Sequence, residues 1–430
     1  MKIRVIGLTI LIWVAPVFSQ NYLDVIRPFY GMRGVSGSES GVFPISAAHS
    51  NAVLGNPALL SYSQDAFFSM DIGFDQVSGT SIYNSQKSDP AQFQRIRFNN
   101  MSYIYPVHVY RGAWVWGFNL QPVHSFSSIQ SFEGVDIDGS SDFHYSYLNR
   151  STGSIYALSM ASSFLWTRNT SLGFGVSLLT GKNEYHEVYQ EKDDLDYFTF
   201  ENYLDSLYII PSYRGFAARM GMVTDLSSSF RFGLSLEFPS RLSVTESSGQ
   251  EEMESYDDGS ETVLSEVEYP RIDYVVWGPW RLGLGLAFGV EPLKVSVNYR
   301  YHSFSTALMV SDLLDSQEDD LDEVVKGEIS SFVQDVHEYS AAVNWSMTPL
   351  NISFAATVEN HPLNEILESV LRLDAGFGYR LTPQVGITSA FRSSSWQSDM
   401  DHELSSGSFR TVEVKNSFSQ ISIGVKYFLD

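Results

Sequence analysis

The chain has 430 residues, a formal net charge of −23 and no cysteine; 14% of its residues are aromatic and 18% are charged. The lack of cysteine excludes a disulfide framework and a lipid anchor on cysteine. The acidic balance argues against a nucleic-acid partner, because phosphate binding needs clustered Lys and Arg. A charged share below the usual value of roughly 25%, with many aromatics, favours a barrel with interfacial aromatic girdles.

The chain begins with a predicted export signal. Lys2 and Arg4 precede an apolar run that ends at Val14. This run is shorter than the roughly 20 apolar residues of a spanning helix, and it is typical of a cleaved signal peptide. We therefore place the signal at 1–19 and the start of the exported chain at Gln20.

Residues 20–65 show no strand alternation and are rich in Gly and Ala. Asn56, Pro57 and Ala58 stand near the end of this segment, shortly before the first strand. The segment is too long for a simple lead-in. Its small residues and its position predict a compact plug inside the lumen of a barrel.

Residues 66–430 are predicted to form an all-β, transmembrane antiparallel barrel. In 280–288 and 293–301, large apolar residues alternate with small or polar ones, which indicates strands with one apolar face. A membrane barrel turns this face to lipid and the mixed face to its lumen. About fourteen strands are predicted, at 66–74, 99–109, 113–122, 154–165, 171–179, 215–224, 229–238, 280–288, 293–302, 338–347, 351–358, 370–381, 384–391 and 417–428.

The predicted links alternate between short turns and longer connections. In bacterial outer-membrane barrels the short turns face the periplasm and the long loops face outward, and an even strand count leaves both termini in the periplasm. Three longer links are acidic, at 184–205, 246–268 and 312–328, and we interpret them as solvated loops. The six short turns are predicted at 110–112, 166–170, 225–228, 289–292, 348–350 and 382–383.

The end of the chain predicts a partner. Val425, Tyr427 and Phe428 resemble the C-terminal aromatic signal that the barrel assembly machinery recognises. Leu429 and Asp430 follow, so the aromatic residue is displaced from the usual terminal position.

Asn56, Pro57 and Ala58, after a Gly-rich stretch and before fourteen predicted strands, resemble the FadL/TodX family of outer-membrane transporters for long-chain fatty acids and other hydrophobic molecules. The resemblance covers the whole exported chain. It implies an N-terminal hatch that shifts when a ligand is captured at the outer end, and a sideways exit through the barrel wall. In the family an inward kink of the third strand makes this opening. Pro122 lies in the third strand and removes a ladder donor, so we expect a distortion there.

Four arginines are candidates for holding a ligand carboxylate, which Arg binds through paired hydrogen bonds. They fall on the predicted lumen face, toward the outer ends of their strands. For each one, an ion pair with a lumen acid such as Glu338 or Asp374 is the stronger alternative. The candidates are Arg219, Arg300, Arg372 and Arg392.

No catalytic group, metal site or cofactor is predicted. His124 and His302 are each followed by Ser, but neighbours on a strand point to opposite faces. Residues 136–142 contain only part of the ligand series of a calcium loop. We therefore interpret the chain as a transporter and not an enzyme, with the bilayer and a hydrophobic ligand as partners. Two alternatives stay open: a PorV-like component of a protein secretion system, and an outer-membrane lipid hydrolase, which needs a Ser and a His on one barrel face.

Overall fold

A computed structural model describes residues 22–30, 49–83, 86–135, 143–194, 199–311, 318–364, 369–403 and 409–429. The signal predicted at 1–19 and the calcium-like fragment at 136–142 lie outside these residues. In the described part of the chain, no helix is long and apolar enough to cross a bilayer.

All strands belong to one antiparallel sheet that closes on itself, because the last strand pairs with the first from Ala66 with Leu429 to Ile82 with Glu413. The wall has fourteen strands, four of which are interrupted, and a two-residue strand, Gln86–Lys87, folds back on the first. The predicted fourteen-strand barrel is therefore confirmed. The strands are β1 Ala66–Tyr83, β2 Ala91–Val107, β3 Trp114–Ser125 with Ser128–Val135, β4 Phe143–Leu165, β5 Thr170–Asp193, β6 Phe200–Ser227, β7 Phe230–Glu237 with Arg241–Tyr256, β8 Glu261–Glu268 with Ile272–Trp277 and Arg281–Val290, β9 Leu293–His302 with Leu308–Ser311, β10 Val336–Met347, β11 Leu350–Glu359, β12 Val370–Arg380, β13 Val385–Glu403 and β14 Phe409–Leu429.

Short turns collect at one end of the barrel, which we name the short-turn end; the other is the long-loop end. Links of a few residues join β2 to β3, β4 to β5, β6 to β7, β8 to β9, β10 to β11 and β12 to β13. All six predicted short turns are confirmed. The strands are longer than predicted toward the long-loop end.

This extra length corrects the interpretation of the acidic segments as loops. Residues 184–193 continue β5, and most of 246–268 belongs to β7 and β8. The third acidic segment contains a helix, α2 (Glu318–Phe332). The strand extensions lack an apolar face and so give no alternation signal, but their ladders continue, as between Tyr185 and Ile209.

The outer surface carries a band of exposed apolar side chains. On β5, Phe174, Val176 and Leu178 are 54%, 60% and 64% exposed, whereas the inward Ser177 between two of them is buried. A continuous exposed apolar band is stable only against lipid, so the alternation of faces places this wall in a bilayer.

The interior holds the remaining helices and the largest apolar cluster. Helix α1 (Tyr22–Ile26) and two 3₁₀ helices, His49–Val53 and Pro57–Tyr62, precede the barrel, and a third, Phe304–Thr306, interrupts β9. Buried side chains from α1, α2 and the wall pack together, and we name them the lumen cluster: Val25, Ile26, Phe126, Ile155, Leu179, Tyr213, Leu242, Tyr274, Phe304, Val325 and Ile329.

Candidate functional site

Asn56 fastens the N-terminal segment to the inner wall near the short-turn end. Its side chain is fully buried, and Nδ2 donates to the carbonyl oxygens of Met222, at 3.4 Å, and Leu234, at 3.3 Å. Its Oδ1 accepts from the backbone N–H of Ala58 at 3.2 Å, which caps the 3₁₀ helix that begins at Pro57. Asn before Pro therefore separates the two 3₁₀ helices, caps the second and binds two strands at once.

Small inward residues make room for this contact. A Cβ added to Gly221 of β6 would lie 1.9 Å from Asn56 Oδ1, and one added to Gly173 of β5 would lie 2.3 Å from the Ala58 nitrogen. The Ser163 hydroxyl of β4 donates to the Ala58 carbonyl at 3.0 Å. The inner faces of β4, β5 and β6 thus form a shallow seat for residues 56–58.

A charged group higher in the lumen holds the same segment at two more points. Arg281 donates to the Phe29 carbonyl at 3.2 Å, and Arg219 donates to the Val53 carbonyl at 3.5 Å. Glu237 is the register partner of both arginines and forms a 2.8 Å ion pair with Arg281. The strands β6, β7 and β8 therefore present fixed donors to backbone oxygens of the N-terminal segment.

Tyr30 extends the segment to the long-loop end. Its ring packs edge-on against His361, with centroids 4.8 Å apart, and near Phe304, at 6.1 Å. His361 lies just beyond β11, and its Nδ1 accepts from the backbone N–H of Leu363 at 3.1 Å. Burial lowers the pKa of His361 to about 4, so the ring is neutral at ordinary pH.

The barrel wall opens beside β3. Pairing between β2 and β3 stops at Met101 with Leu120, and among the described residues no ladder joins residues 91–100 of β2 to β3. On the other side of β3, the register with β4 shifts between Pro122 and His124. Pro122 thus lies at the opening, and the idea that it causes the distortion stays a prediction.

Beyond this point the chain turns inward. The second piece of β3, Ser128–Val135, still pairs with β4, but its Ile129 packs with Val77 of β1 and Phe418 of β14. A Cβ on Gly79 of β1 would lie 2.0 Å from the Ile129 carbonyl oxygen, so glycine permits this close approach. The outer part of β3 therefore lies inside the wall.

Arg95 of β2 spans the opening. Its Nη2 donates to Ser125 Oγ at 2.8 Å and its Nη1 donates to the Gly153 carbonyl at 3.5 Å, while Nε pairs with Asp75 at 3.2 Å. Arg95 and Phe93 also line a cavity of about 380 Å³ between β2 and the β4–β5 pair. Arg95 thus bridges the opening through side-chain hydrogen bonds, at a level where no backbone ladder joins the described parts of β2 and β3.

An apolar interior meets this opening. Phe126, where β3 is interrupted, stacks on Tyr213 of β6 with centroids 5.3 Å apart and an interplanar angle of 16°. Both rings belong to the lumen cluster, which reaches from α1 to α2. A small hydrophobic molecule can pack against the faces of these rings without breaking a hydrogen bond of a polar group.

The candidate arginines divide into two groups. Arg300 and Arg372 approach Glu338 at 3.4 and 3.7 Å, and Arg392 and Arg372 approach Asp374 at 2.6 and 3.8 Å. For these three arginines, the structure contains the lumen ion pairs that the sequence analysis gave as the alternative to ligand binding. Arg219 stands apart, against the N-terminal segment, and a ligand role for all four stays a prediction. Arg219 and Arg392 also lie in the interior of strands that extend well beyond them, not toward the outer ends.

Sequence reasoning missed Glu237, Arg281, Arg95 and Asp75. A signal existed for the first two. The predicted turns at 225–228 and 289–292 fix the register of β6, β7 and β8, and that register places Arg219 and Arg281 on either side of Glu237. No comparable signal existed for Arg95, because its contacts depend on where β3 leaves the wall.

No protein-family model and no curated protein matches this sequence. Solved structures do match its fold. A FadL homologue from Pseudomonas aeruginosa has a TM-score of 0.61 at 11% identity, covering 92% of this chain and 99% of that one. The toluene transporter TodX of P. putida gives 0.58 at 13%, covering 93% and 99%, and the toluene transporter TbuX of Ralstonia pickettii gives 0.53 at 13%, covering 94% and 98%. The chain therefore has the fold of FadL-type outer-membrane channels over nearly its whole length, and the resemblance seen in the sequence is confirmed at the level of fold.

Proposed function

We propose that the chain is a bacterial outer-membrane channel that takes up small hydrophobic molecules. Long-chain fatty acids and monoaromatic hydrocarbons are the substrate classes. The ligand enters at the long-loop end, which faces the outside with both termini in the periplasm, and crosses the lumen cluster. It then leaves sideways into the bilayer through the opening beside β3.

The observation that carries this proposal is the meeting of the lumen cluster with the wall opening at Phe126. Hydrophobic molecules bind to apolar surfaces because water is released, and no hydrogen bonds need to be replaced on the way. A polar aqueous pore would offer such molecules no favourable contact. The toluene transporters with the same fold are consistent with this proposal.

We assign the hatch role to residues 20–65. Described parts of this segment lie inside the barrel and are bound through side chain to backbone contacts at Asn56, Arg219 and Arg281. A neutral hydrogen bond, such as those of Asn56, contributes about 1 kcal/mol, and one from a charged donor, such as Arg219 or Arg281, contributes about 1.5–3 kcal/mol. Val25 and Ile26 of the segment also belong to the lumen cluster, so a hydrophobic ligand that competes for this cluster would displace part of the segment.

No specific observation favours the alternative functions. The hydroxyl of Ser125 contacts Arg95 and Ser127, and that of Ser303 contacts the Trp280 carbonyl and Thr306. Among the side chains that the structure describes, no histidine hydrogen-bonds to either hydroxyl, as a hydrolase of the Ser-His type needs. A secretion component would bind partner proteins. The lumen cluster and the wall opening are features that fit a small molecule, and they give no support to a protein partner.

A disulfide lock tests the proposal. The chain has no cysteine, so Val53→Cys with Gly117→Cys introduces one defined pair. A Cβ at Gly117 would lie 2.6 Å from Val53 Cγ2, close enough for the Cβ atoms of a disulfide. We expect oxidation to lower uptake of radiolabelled toluene and oleate by cells about tenfold, and reduction to restore it.

The matched control is each single variant, which cannot form the lock and should transport equally under both conditions. The folded state is checked by heat-modifiable migration on gels. Unchanged uptake by the oxidised, folded pair would refute passage past the N-terminal segment.

A further inference from the structure

Basic residues cluster on one sector of the outer surface. On β4 to β7, the first charged outward-facing residue beyond the exposed apolar band is in every case Lys or Arg. On β5, for example, Lys182 follows Leu178 and Thr180 on the outward face, and on β6 Arg214 is adjacent on that face to Phe216. We name these residues the basic belt: Arg150, Lys182, Arg214 and Arg241.

The belt is unusual in a chain with a net charge of −23. Within the described residues, no carboxylate lies within 4.0 Å of the guanidinium groups of Arg150, Arg214 or Arg241. Lys182 has one acidic neighbour, Glu184, at 2.8 Å. The belt therefore retains uncompensated positive charge just beyond the apolar band, at the level where lipid headgroups meet the barrel.

A groove lies at one end of the belt, beside Arg150 and Lys182. Two cavities, of about 380 and 290 Å³, share Arg150, Thr152 and Glu184 and adjoin each other between β4 and β5. The apolar side chains of Phe93, Leu148 and Val188 also line them. A groove with cationic and apolar walls at a membrane boundary suits an amphipathic anion with acyl chains.

We propose that the basic belt and its groove bind a bis-phosphorylated glycolipid of the outer leaflet, with the long-loop end outside. Arg holds phosphate through paired, charge-assisted hydrogen bonds. Neighbouring strands lie about 4.8 Å apart, so cations on four strands span about 14 Å. This span exceeds one phosphate group and matches a headgroup that carries two. The belt side chains face outward, and the larger of the two cavities is the one that Arg95 and Phe93 also line at the wall opening.

Native mass spectrometry of the full-length protein in mild detergent tests this site directly. The probes are diphosphoryl lipid A, monophosphoryl lipid A and phosphatidylglycerol. We expect the wild type to retain diphosphoryl lipid A about tenfold more strongly than either other lipid, since a charged hydrogen-bonded contact is worth at least that factor. The fourfold change Arg150→Gln, Lys182→Gln, Arg214→Gln and Arg241→Gln should abolish this preference.

Two further variants sharpen the test. Arg111→Gln with Arg168→Gln, Lys294→Gln and Arg380→Gln removes the same charge at the short-turn end, away from the belt, and should keep wild-type retention. Glu184→Gln removes the carboxylate that competes for Lys182 and should raise retention severalfold.

Equal retention by the belt variant and its control, with both folded, would overturn the proposal. Equal retention of phosphatidylglycerol and diphosphoryl lipid A would overturn the assignment to a bis-phosphorylated lipid. Neither measurement involves uptake, so the lipid-site proposal can fail while the proposed channel function stands, and the reverse.

Discussion

The two halves of the lumen are built on the same strand geometry but filled in opposite ways. On β4 to β6 the inward residues include Gly173, Gly221 and Ser163, and the N-terminal segment occupies the space above them. On β10 to β13 the inward side chains include Asp374 and Arg392, which fill the space as ion pairs. One half thus binds the N-terminal segment through side chain to backbone hydrogen bonds and apolar contacts, and the other is filled by buried ion pairs between its own strands. The difference teaches that the inward residues, and not the strand geometry, decide what fills each half of the lumen.

The largest expected effect is in the ion-paired half. Asp374→Asn leaves Arg392 and Arg372 without their shared carboxylate, and we expect the free energy of unfolding to fall by about 3–5 kcal/mol. Urea unfolding in lipid vesicles measures it. Glu291→Gln is the control, because its partner Lys294 is exposed and such pairs contribute less than about 1 kcal/mol. Similar losses in both variants would show that the buried ion pair contributes no more than an exposed one, which would contradict the role given to the ion-paired half.

The next largest effect is a loss of stability in acid at His361, which packs against Tyr30 of the N-terminal segment. The folded pKa of His361 is about 4, below its ordinary value of 6.5, so between these pH values the unfolded chain binds a proton that the folded chain does not. The free energy of unfolding therefore falls as pH decreases from about 6.5 toward 4, by up to about 3 kcal/mol, and this contribution is constant below pH 4. Urea unfolding at pH 7 and 4.5 should show a smaller fall for His361→Gln than for the wild type. Equal slopes would place the cause in other groups.

A matched pair of glycine substitutions compares the halves directly. Gly221→Ala places a methyl group 1.9 Å from Asn56 Oδ1, whereas Gly378→Ala on β12 meets only Asn351 Cβ, at 3.7 Å. We expect the first to cost about 1–3 kcal/mol and to speed amide exchange in residues 49–62. The second should be neutral or slightly stabilising. Hydrogen exchange by mass spectrometry resolves both, and equal exchange in the two variants would argue against the seat at Gly221.

The smallest effect concerns one hydroxyl. Ser163→Ala removes the donor to the Ala58 carbonyl and should cost about 1 kcal/mol, seen as faster exchange near Ala58. Ser340→Ala on β10, whose hydroxyl accepts from Asn298, serves as the counterpart in the ion-paired half and should leave that exchange unchanged. A reversed order of effects would contradict the proposed seat.

The wall strands could be predicted from the sequence because each has one apolar face, as in residues 280–288. The register of Arg219, Glu237 and Arg281 also follows from the turn positions. The extension of β5 past Glu184 could not be predicted, since both of its faces are polar there. The seat of Asn56 was also beyond prediction, because glycines 173 and 221 become neighbours only through β5–β6 pairing. The inward turn of β3 depends on Gly79 of another strand.

The pairing of β14 with β1 has a consequence for biogenesis. That seam joins the two ends of the chain, and the N-terminal segment immediately precedes β1. The segment contacts strands from β2 to β8 and shares an apolar cluster with Phe67 of β1 and Phe428 of β14, the two seam strands. We therefore expect it to reach its seat before or while the ring is sealed. We expect the order of assembly to be built into the chain: the interior is packed first, and the first and last strands then shut it.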